Sequence, residues 1–152
     1  MLFLLFELGK DCYALDAGQV VEVLPLLEIK RIPRAMPGVS GLFNYHGAPT
    51  PLLDLTELNL GRPSQARMST RIIVTNYVDD SGGRHVIGLL AERATETIRR
   101  AESDFKDSGV SVPGARFLGP VLVEANRIIQ RVEINHLLPE SLRNQLFAEL
   151  VG

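Results

Sequence analysis

The sequence is short of the residues that build covalent or metallic cross-links. Cys12 is its only cysteine, so neither an intrachain disulfide nor a thiolate metal cluster can form, and a reducing cytoplasm is the expected compartment. Nor is there an excess of positive charge. Sixteen Lys and Arg stand against eighteen Asp and Glu in 152 residues, a formal charge of −2, whereas a nucleic-acid module ordinarily carries a basic excess. No apolar run approaches the roughly 20 residues of a membrane-spanning helix, because residues such as Asp54 and Arg71 interrupt the longest candidates. Met1 to Phe6 is apolar throughout, but no positive region precedes it as a secretory signal requires, and Glu7 ends it. The expectation is a soluble cytoplasmic chain without direct membrane insertion.

What is present suits one globular domain spanning 1–152. Hydrophobic residues make up 45% and charged residues 22%, enough apolar material for a core. The apolar runs are short, rich in branched residues and separated by Gly, Pro and Asp, which is the pattern of a β-rich domain. It predicts strands at Leu2–Leu8, Cys12–Leu15, Val20–Leu24, Leu42–Asn44, Thr50–Leu55, Arg71–Val78, Arg84–Leu90, Phe117–Glu124 and Arg127–Val132. Asp79 to Gly83 reads as a hairpin turn, since glycine supplies the positive φ of tight connections. Leu60–Ser69 and Ala101–Ala115 read as loops. Near the end the period changes: Leu142, Leu146, Phe147 and Leu150 recur at helical spacing, predicting an amphipathic helix over about 139–150 with Pro139 in its first turn.

The chain also resembles itself. Tyr13 to Leu24 aligns without gaps to Ile87 to Ile98, each read as a strand, a short polar turn and a Glu two places before an aliphatic residue. Pro51-Leu52-Leu53-Asp54-Leu55 resembles Gln130-Arg131-Val132-Glu133-Ile134 in the same way. Two half-units of about five strands would pack as two small barrels around a shared apolar seam, because a barrel this small buries too little surface alone.

Candidate chemistry is sparse. His46, His85 and His136 are scattered and lack the paired spacing of a metal site. Asp54 is followed by Leu rather than the small residues of an acid-protease turn, so it reads as a strand-end carboxylate receiving backbone N–H bonds. Cys12 reads as a buried thiol. The basic groups at residues 30–34, 62–71 and 99–100 do not interleave with aromatics as a stacking platform would, and Ser81-Gly82-Gly83 lacks the Lys and helix of a phosphate loop. No catalytic, cofactor or metal residues are assigned. Asn44-Tyr45-His46-Gly47 has turn chemistry, yet an aromatic and an imidazole at a loop tip are residue types that interfaces favour. Glu22, set within Val20 to Leu24 and repeated at Glu96, suggests a partner-facing strand.

The block that runs through Val20-Val21-Glu22-Val23-Leu24, Ile32-Pro33, Met36-Pro37, Gly41-Leu42-Phe43-Asn44-Tyr45-His46-Gly47 and Pro51-Leu52-Leu53-Asp54-Leu55 resembles the chemotaxis coupling protein family, the CheW-like adaptors. The resemblance implies a mainly β fold of two intertwined five-stranded SH3-like barrels with a C-terminal α-helix, and no active site. It implies a scaffold joining the cytoplasmic tip of a methyl-accepting chemoreceptor to the regulatory domain of a CheA-type histidine kinase, with Val20, Glu22, Gly41, Tyr45 and His46 at or near partner contacts. Gly41 is expected to exclude a side chain because backbone and partner approach closely there. Where the family usually has Leu-Arg this chain has Tyr45-His46, and an imidazole, unlike a guanidinium, is not permanently charged. Such departures are similar to those of specialised adaptors in alternative chemosensory systems, including the surface-sensing Wsp type. Two other classes compete: a small β-barrel nucleic-acid- or ligand-binding module, opposed by the charge balance, and a hydrolase using Asp54 and His46, with only two titratable groups in its favour.

Overall fold

The apolar runs become nine strands in a computed structural model, which describes residues 1–79, 81–107, 109, 118–134 and 142. They are β1 (Leu2–Leu8), β2 (Asp11–Asp16), β3 (Val20–Pro25), β4 (Val39–Tyr45), β5 (Ala48–Asp54), β6 (Arg71–Val78), β7 (Arg84–Arg99), β8 (Leu118–Glu124) and β9 (Arg127–Val132). One short helix, α1 (Leu55–Leu60), follows β5. Most strands fall where branched and aromatic runs predict them, and Val78 pairs with Arg84 across the expected 79–83 turn. The helix expected over 139–150 lies outside the described residues except for Leu142, which is helical and buried.

Three stretches differ from expectation. Leu55, read as a strand end, instead opens α1, because the Asp54 carboxylate accepts from the amides of Thr56 and Glu57 at 3.0 and 3.3 Å and so caps the first turn. Gly61, at φ +73°, ends that helix in the left-handed region. The second copy of the repeat, expected to turn as the first does at Ala17–Gln19, continues as a single strand to Arg99, with Arg93 at φ +51° where β7 bends. The expected loop after Ala101 begins with a 3-10 turn at Glu102–Asp104 and sends Phe105 into the core, 4.9 Å ring to ring from Phe3.

The strands form two five-stranded sets that share β7. In the first, β1 pairs with β2 and with the second half of β7, β2 pairs parallel with β9, and β9 pairs with β8. In the second, β6 pairs with β3 and with the first half of β7, β5 pairs parallel with that half, and β4 pairs with β5. Each set therefore draws strands from both halves of the sequence. This is the intertwined pair of five-stranded units that the family resemblance implies, with strands exchanged between the half-units read from the duplication. Half-units cannot close alone, because β1 and β3 find their outer partners, β7 and β6, in the other half.

The registers reproduce the internal repeat residue by residue. Ala14 pairs with Arg131, and its counterpart Gly88 with Leu52, the counterpart of Arg131. Ala14 also pairs with Leu5, and Gly88 with Val74. The segment preceding β4 bridges it through reciprocal 2.8 Å bonds between Lys30 and Leu42, and the segment preceding β8 does the same between Lys106 and Val121. Burial follows from the period of two. On β1, Phe3 and Leu5 enter one cluster with Ala14, Ile98, Phe105, Leu122 and Ile129, inside the first set. Leu4, Phe6 and Leu8 face a larger cluster with Leu15, Leu53, Ile73, Tyr77 and Leu89, the seam between the sets. On β6, Ile72 and Val74 join Phe43, Leu52 and Leu90 inside the second set. Both faces of β1 and β6 are thus covered, which is why they read as continuous apolar runs rather than alternating ones.

The 79–83 turn is held by one carboxylate. Asp79 accepts from His85 Nε2 at 2.7 Å, from the Ser81 hydroxyl at 2.9 Å, and from the amides of Gly83 and Ser81 at 2.7 and 3.0 Å. The His85 contact first, then the Ser81 hydroxyl and the Gly83 amide, pull this carboxyl down to about 2. A carboxyl depressed in the fold stabilises it above its ordinary value near 4 and loses that contribution as pH falls through the folded value. Asp79→Asn should therefore be less stable than the wild type at pH 6, with the gap closing between about pH 4 and pH 2; urea midpoints across that range would show it, and a constant gap would contradict the assignment.

Candidate functional site

Two strands of the second set each pair with one strand among the described residues: β3 with β6, and β4 with β5, the other side of β4 carrying the Lys30–Leu42 bridge. The side chains that link these two edges are Glu22 from β3 and Tyr45 from the end of β4. The Tyr45 hydroxyl donates to Glu22 Oε2 at 2.9 Å, and this contact first, then burial, raises the Tyr45 hydroxyl above its ordinary value. His46 Nε2 stands 3.4 Å from the same oxygen. Its ring centroid is 4.4 Å from that of Tyr45, in a tilted arrangement, and Tyr45 in turn leans towards Phe43 at 6.2 Å. Tyr45 thus ties an exposed cluster to the interior.

The turn that presents His46 follows from its sequence. His46 and Gly47 sit between the paired residues Tyr45 and Ala48 with φ of +51° and +88°. A two-residue hairpin with both central residues at positive φ has the twist that suits flanking strands, and His is among the side chains enriched there. Asn44 Oδ1 accepts from the Gly47 amide at 2.7 Å and fixes the turn. The result leaves the imidazole 74% exposed and the Glu22 side chain 41% exposed. So placed, the three residues can offer a carboxylate, a ring edge and a polarised hydroxyl to an incoming surface. An ion pair as open as this adds little stability by itself.

Of the five residues expected at partner contacts, the structure brings together Glu22, Tyr45 and His46. Val20 is half-buried and packs against the seam; the exposed neighbour is Val21, at 47%. Gly41 is buried at φ +143°, and a Cβ there would lie 2.1 Å from the carbonyl oxygen of Lys30. The close approach expected between Gly41 and a partner is therefore corrected to one within the chain, where reciprocal Lys30–Leu42 bonds hold the crossing segment in place. Asp54 is buried and fully engaged: besides capping α1 it accepts from the Ser64 amide at 2.8 Å and the Ser64 hydroxyl at 2.6 Å. It organises the loop after α1 instead of meeting His46 in a hydrolytic pair. Cys12 is half-buried, and desolvation raises its thiol.

Val123 and Ile128 form an exposed apolar pair that their strand periodicity did not single out. They face each other across the β8–β9 hairpin and are 71% and 62% exposed. The signal was available in the duplication, since their counterparts, Asn44 and Pro49, pair beside the His46 turn.

Comparison with known proteins agrees with the fold. The family model of the CheW-like domain matches residues 2–142. Chemotaxis protein CheW of Bacillus subtilis is 27% identical over 133 residues, covering 86% of this chain and 81% of that one. Its namesake in Helicobacter pylori is 28% identical over 103 residues, covering 67% and 59%. The crystal structure of scaffolding protein TtCheW from Thermoanaerobacter tengcongensis superposes with a TM-score of 0.79 at 21% identity, covering 93% of this chain and 89% of that one.

The two glycines flanking the site should respond differently to the same change. At Gly47 nothing lies within 4 Å of an added Cβ, so Gly47→Ala should cost only the positive-φ penalty of about 1–2 kcal/mol. Gly41→Ala drives a methyl into fixed backbone and should cost upwards of about 3 kcal/mol. Thermal melts of the two variants check the ordering; equal, small losses would return Gly41 to the surface.

Proposed function

This chain belongs to the CheW-like domain family, and on that premise we propose its role: a non-enzymatic adaptor that couples methyl-accepting chemoreceptors to a CheA-type histidine kinase. The observation that carries the reading is the continuity of the family match, which runs through both strand sets. Coupling needs two proteins held at once, and a duplicated fold offers related but chemically distinct faces for it. One face carries Glu22, Tyr45 and His46, the other the exposed Val123–Ile128 pair. The receptor's cytoplasmic tip and the kinase's regulatory domain are the partners this assigns to them. No helix among the described residues is long and apolar enough to cross a membrane; in this reading the adaptor works in the cytoplasm and reaches the receptor array through its partners.

A scaffold changes coupling without changing chemistry. Leaving this protein out of a reconstituted mixture of receptor and kinase should abolish receptor control of kinase activity while basal autophosphorylation persists. Phosphate incorporation with and without attractant reads both quantities, and undiminished receptor control in its absence would refute the role.

A further inference from the structure

The bend in β7 is not a conformation that its backbone prefers. Arg93 sits at φ +51°, in the left-handed region that a residue with a Cβ keeps only where its surroundings over-determine it. Ala91 is the last residue of β7 to pair with β6, and Glu92 the first to pair with β1. The two strand sets therefore hand over at Glu92-Arg93-Ala94, and each of these residues is held from outside the strand. Glu92 Oε1 accepts from Arg62 Nη1 at 3.0 Å, and from the Gln65 amide and the Thr56 hydroxyl at 3.3 Å each. Arg93 pairs with Glu7 of β1 at 3.3 Å. The Ala94 amide donates to the Ser69 carbonyl at 3.2 Å.

Arg62, Gln65 and Ser69 all belong to the loop over residues 61–70 that joins α1 to β6. Its second anchor is Asp54, buried at the end of β5, which accepts from the Ser64 amide at 2.8 Å and from the Ser64 hydroxyl at 2.6 Å. That hydroxyl also lies 2.9 Å from Thr56 Oγ1. Thr70 ties the loop to itself, its hydroxyl accepting from the Arg67 amide and donating to the Gln65 carbonyl. The polar groups of the loop thus turn inward, while Ala66, Arg67 and Met68 are exposed, Met68 at 98%. A polar path runs from Asp54 in the second set through Ser64, Thr56 and Glu92, and Arg93 carries it on to Glu7 in the first.

We propose that the 61–70 loop is a strap that fixes the angle between the two strand sets at the Arg93 bend, and that receptor control of the kinase depends on that angle. The seam does not fix it alone. Apolar burial is non-directional, so it resists separation of the two sets better than rotation. Hydrogen bonds weaken steeply as donor and acceptor leave their line, and those of the strap end on both flanks of Arg93. The strap's anchor at the bend is also sheltered. The Glu92 side chain is 16% exposed, against 36% for Glu7 in the open pair with Arg93, so solvent and salt screen it less. An adaptor that transmits control, and does not merely bind, needs an element that restricts how its faces are arranged. The strap itself stands on geometry, and its part in control rests on the coupling reading.

Arg62→Ala combined with Ser64→Ala cuts the strap's side-chain bonds at both anchors, and Glu92→Gln weakens the anchor at the bend alone. Nitroxide labels at Ala48→Cys and Asn126→Cys, one in each set, over Cys12→Ala, report the distance between the sets by pulsed electron spin resonance. Wild type should give one narrow distribution and both variants a broader one, with melts still cooperative and lowered by no more than about 15 °C. Ser81→Ala, which removes a bond from the 79–83 turn, should leave the width unchanged. Reconstituted with receptor and kinase, the unlabelled variants should bind each partner as wild type does, yet lose receptor control by about threefold or more. A wild type that is itself broad, or a folded variant as narrow as wild type, would overturn the strap. Should the double variant not fold, Glu92→Gln alone decides. Broadening with undiminished receptor control would overturn the strap's part in coupling. Wild type that confers no receptor control would overturn the coupling reading, and the distances would still decide the strap.

Discussion

A sixteen-residue strand cannot lie flat against two sheets that face different ways, so β7 bends at Arg93, giving its first half to β5 and β6 and its second to β1. Everything else is arranged around that bend. The seam cluster gathers Ile87, Leu89, Ala91 and Ala94 from β7 and packs them against β1, β2 and β6. The Glu7–Arg93 ion pair, at 3.3 Å, sits where the β1–β7 register shifts. Because β7 belongs to both sets, displacing it would open two interiors and the seam at once. Interiors packed like crystals transmit strain instead of absorbing it. The Glu22–Tyr45–His46 face and the Val123–Ile128 face are therefore carried on one body.

Much of this was legible in the residues. Branched runs marked the strands, and the gapless alignment of Tyr13–Leu24 with Ile87–Ile98 anticipated registers that the backbone later matched pair for pair. Interleaving was legible only through the family resemblance, because periodicity states which face of a strand is apolar and says nothing of which half supplies its neighbour. Nor was the missing turn in the second copy. Ala17-Gly18-Gln19, which leaves the sheet, and Ala91-Glu92-Arg93, which stays in it, are both short and polar. What separates them is the 3-10 turn after Asp16, whose carboxylate accepts from the Gly18 amide, whereas its counterpart is Leu90. Helix α1 was within reach, since Asp54 and Glu57 stand at capping positions ahead of Gly61, but the strand pattern running into Leu55 outweighed them.

The candidate site was legible in part as a cluster, and its surroundings were not. Tyr45 and His46 stood out as residue types of an interface on a turn, and the fold places both against Glu22. Gly41 stood out for a true reason attached to the wrong neighbour. Glycine is demanded there, but by Lys30 of the same chain. Sequence can show that a side chain is excluded; only the fold shows what excludes it. The Val123–Ile128 pair escaped for the opposite reason, since branched aliphatics on a predicted strand are ordinarily explained by a core.

The interleaving has a consequence for biosynthesis. The first amino group bonds the carbonyl of Arg100, 99 residues away, and β1 is flanked by β2 and β7 in the finished sheet. At elongation rates of about 5–20 residues per second, Phe3, Leu4, Leu5 and Phe6 wait several seconds before the strand that covers them exists. During that interval the nascent chain displays a two-sided apolar strand with one unpaired edge, the form most prone to pair with a stranger. The same connectivity that makes one stiff body of two sheets thus makes the newborn chain a client for holding chaperones, and ties its yield to how quickly the second half can follow the first.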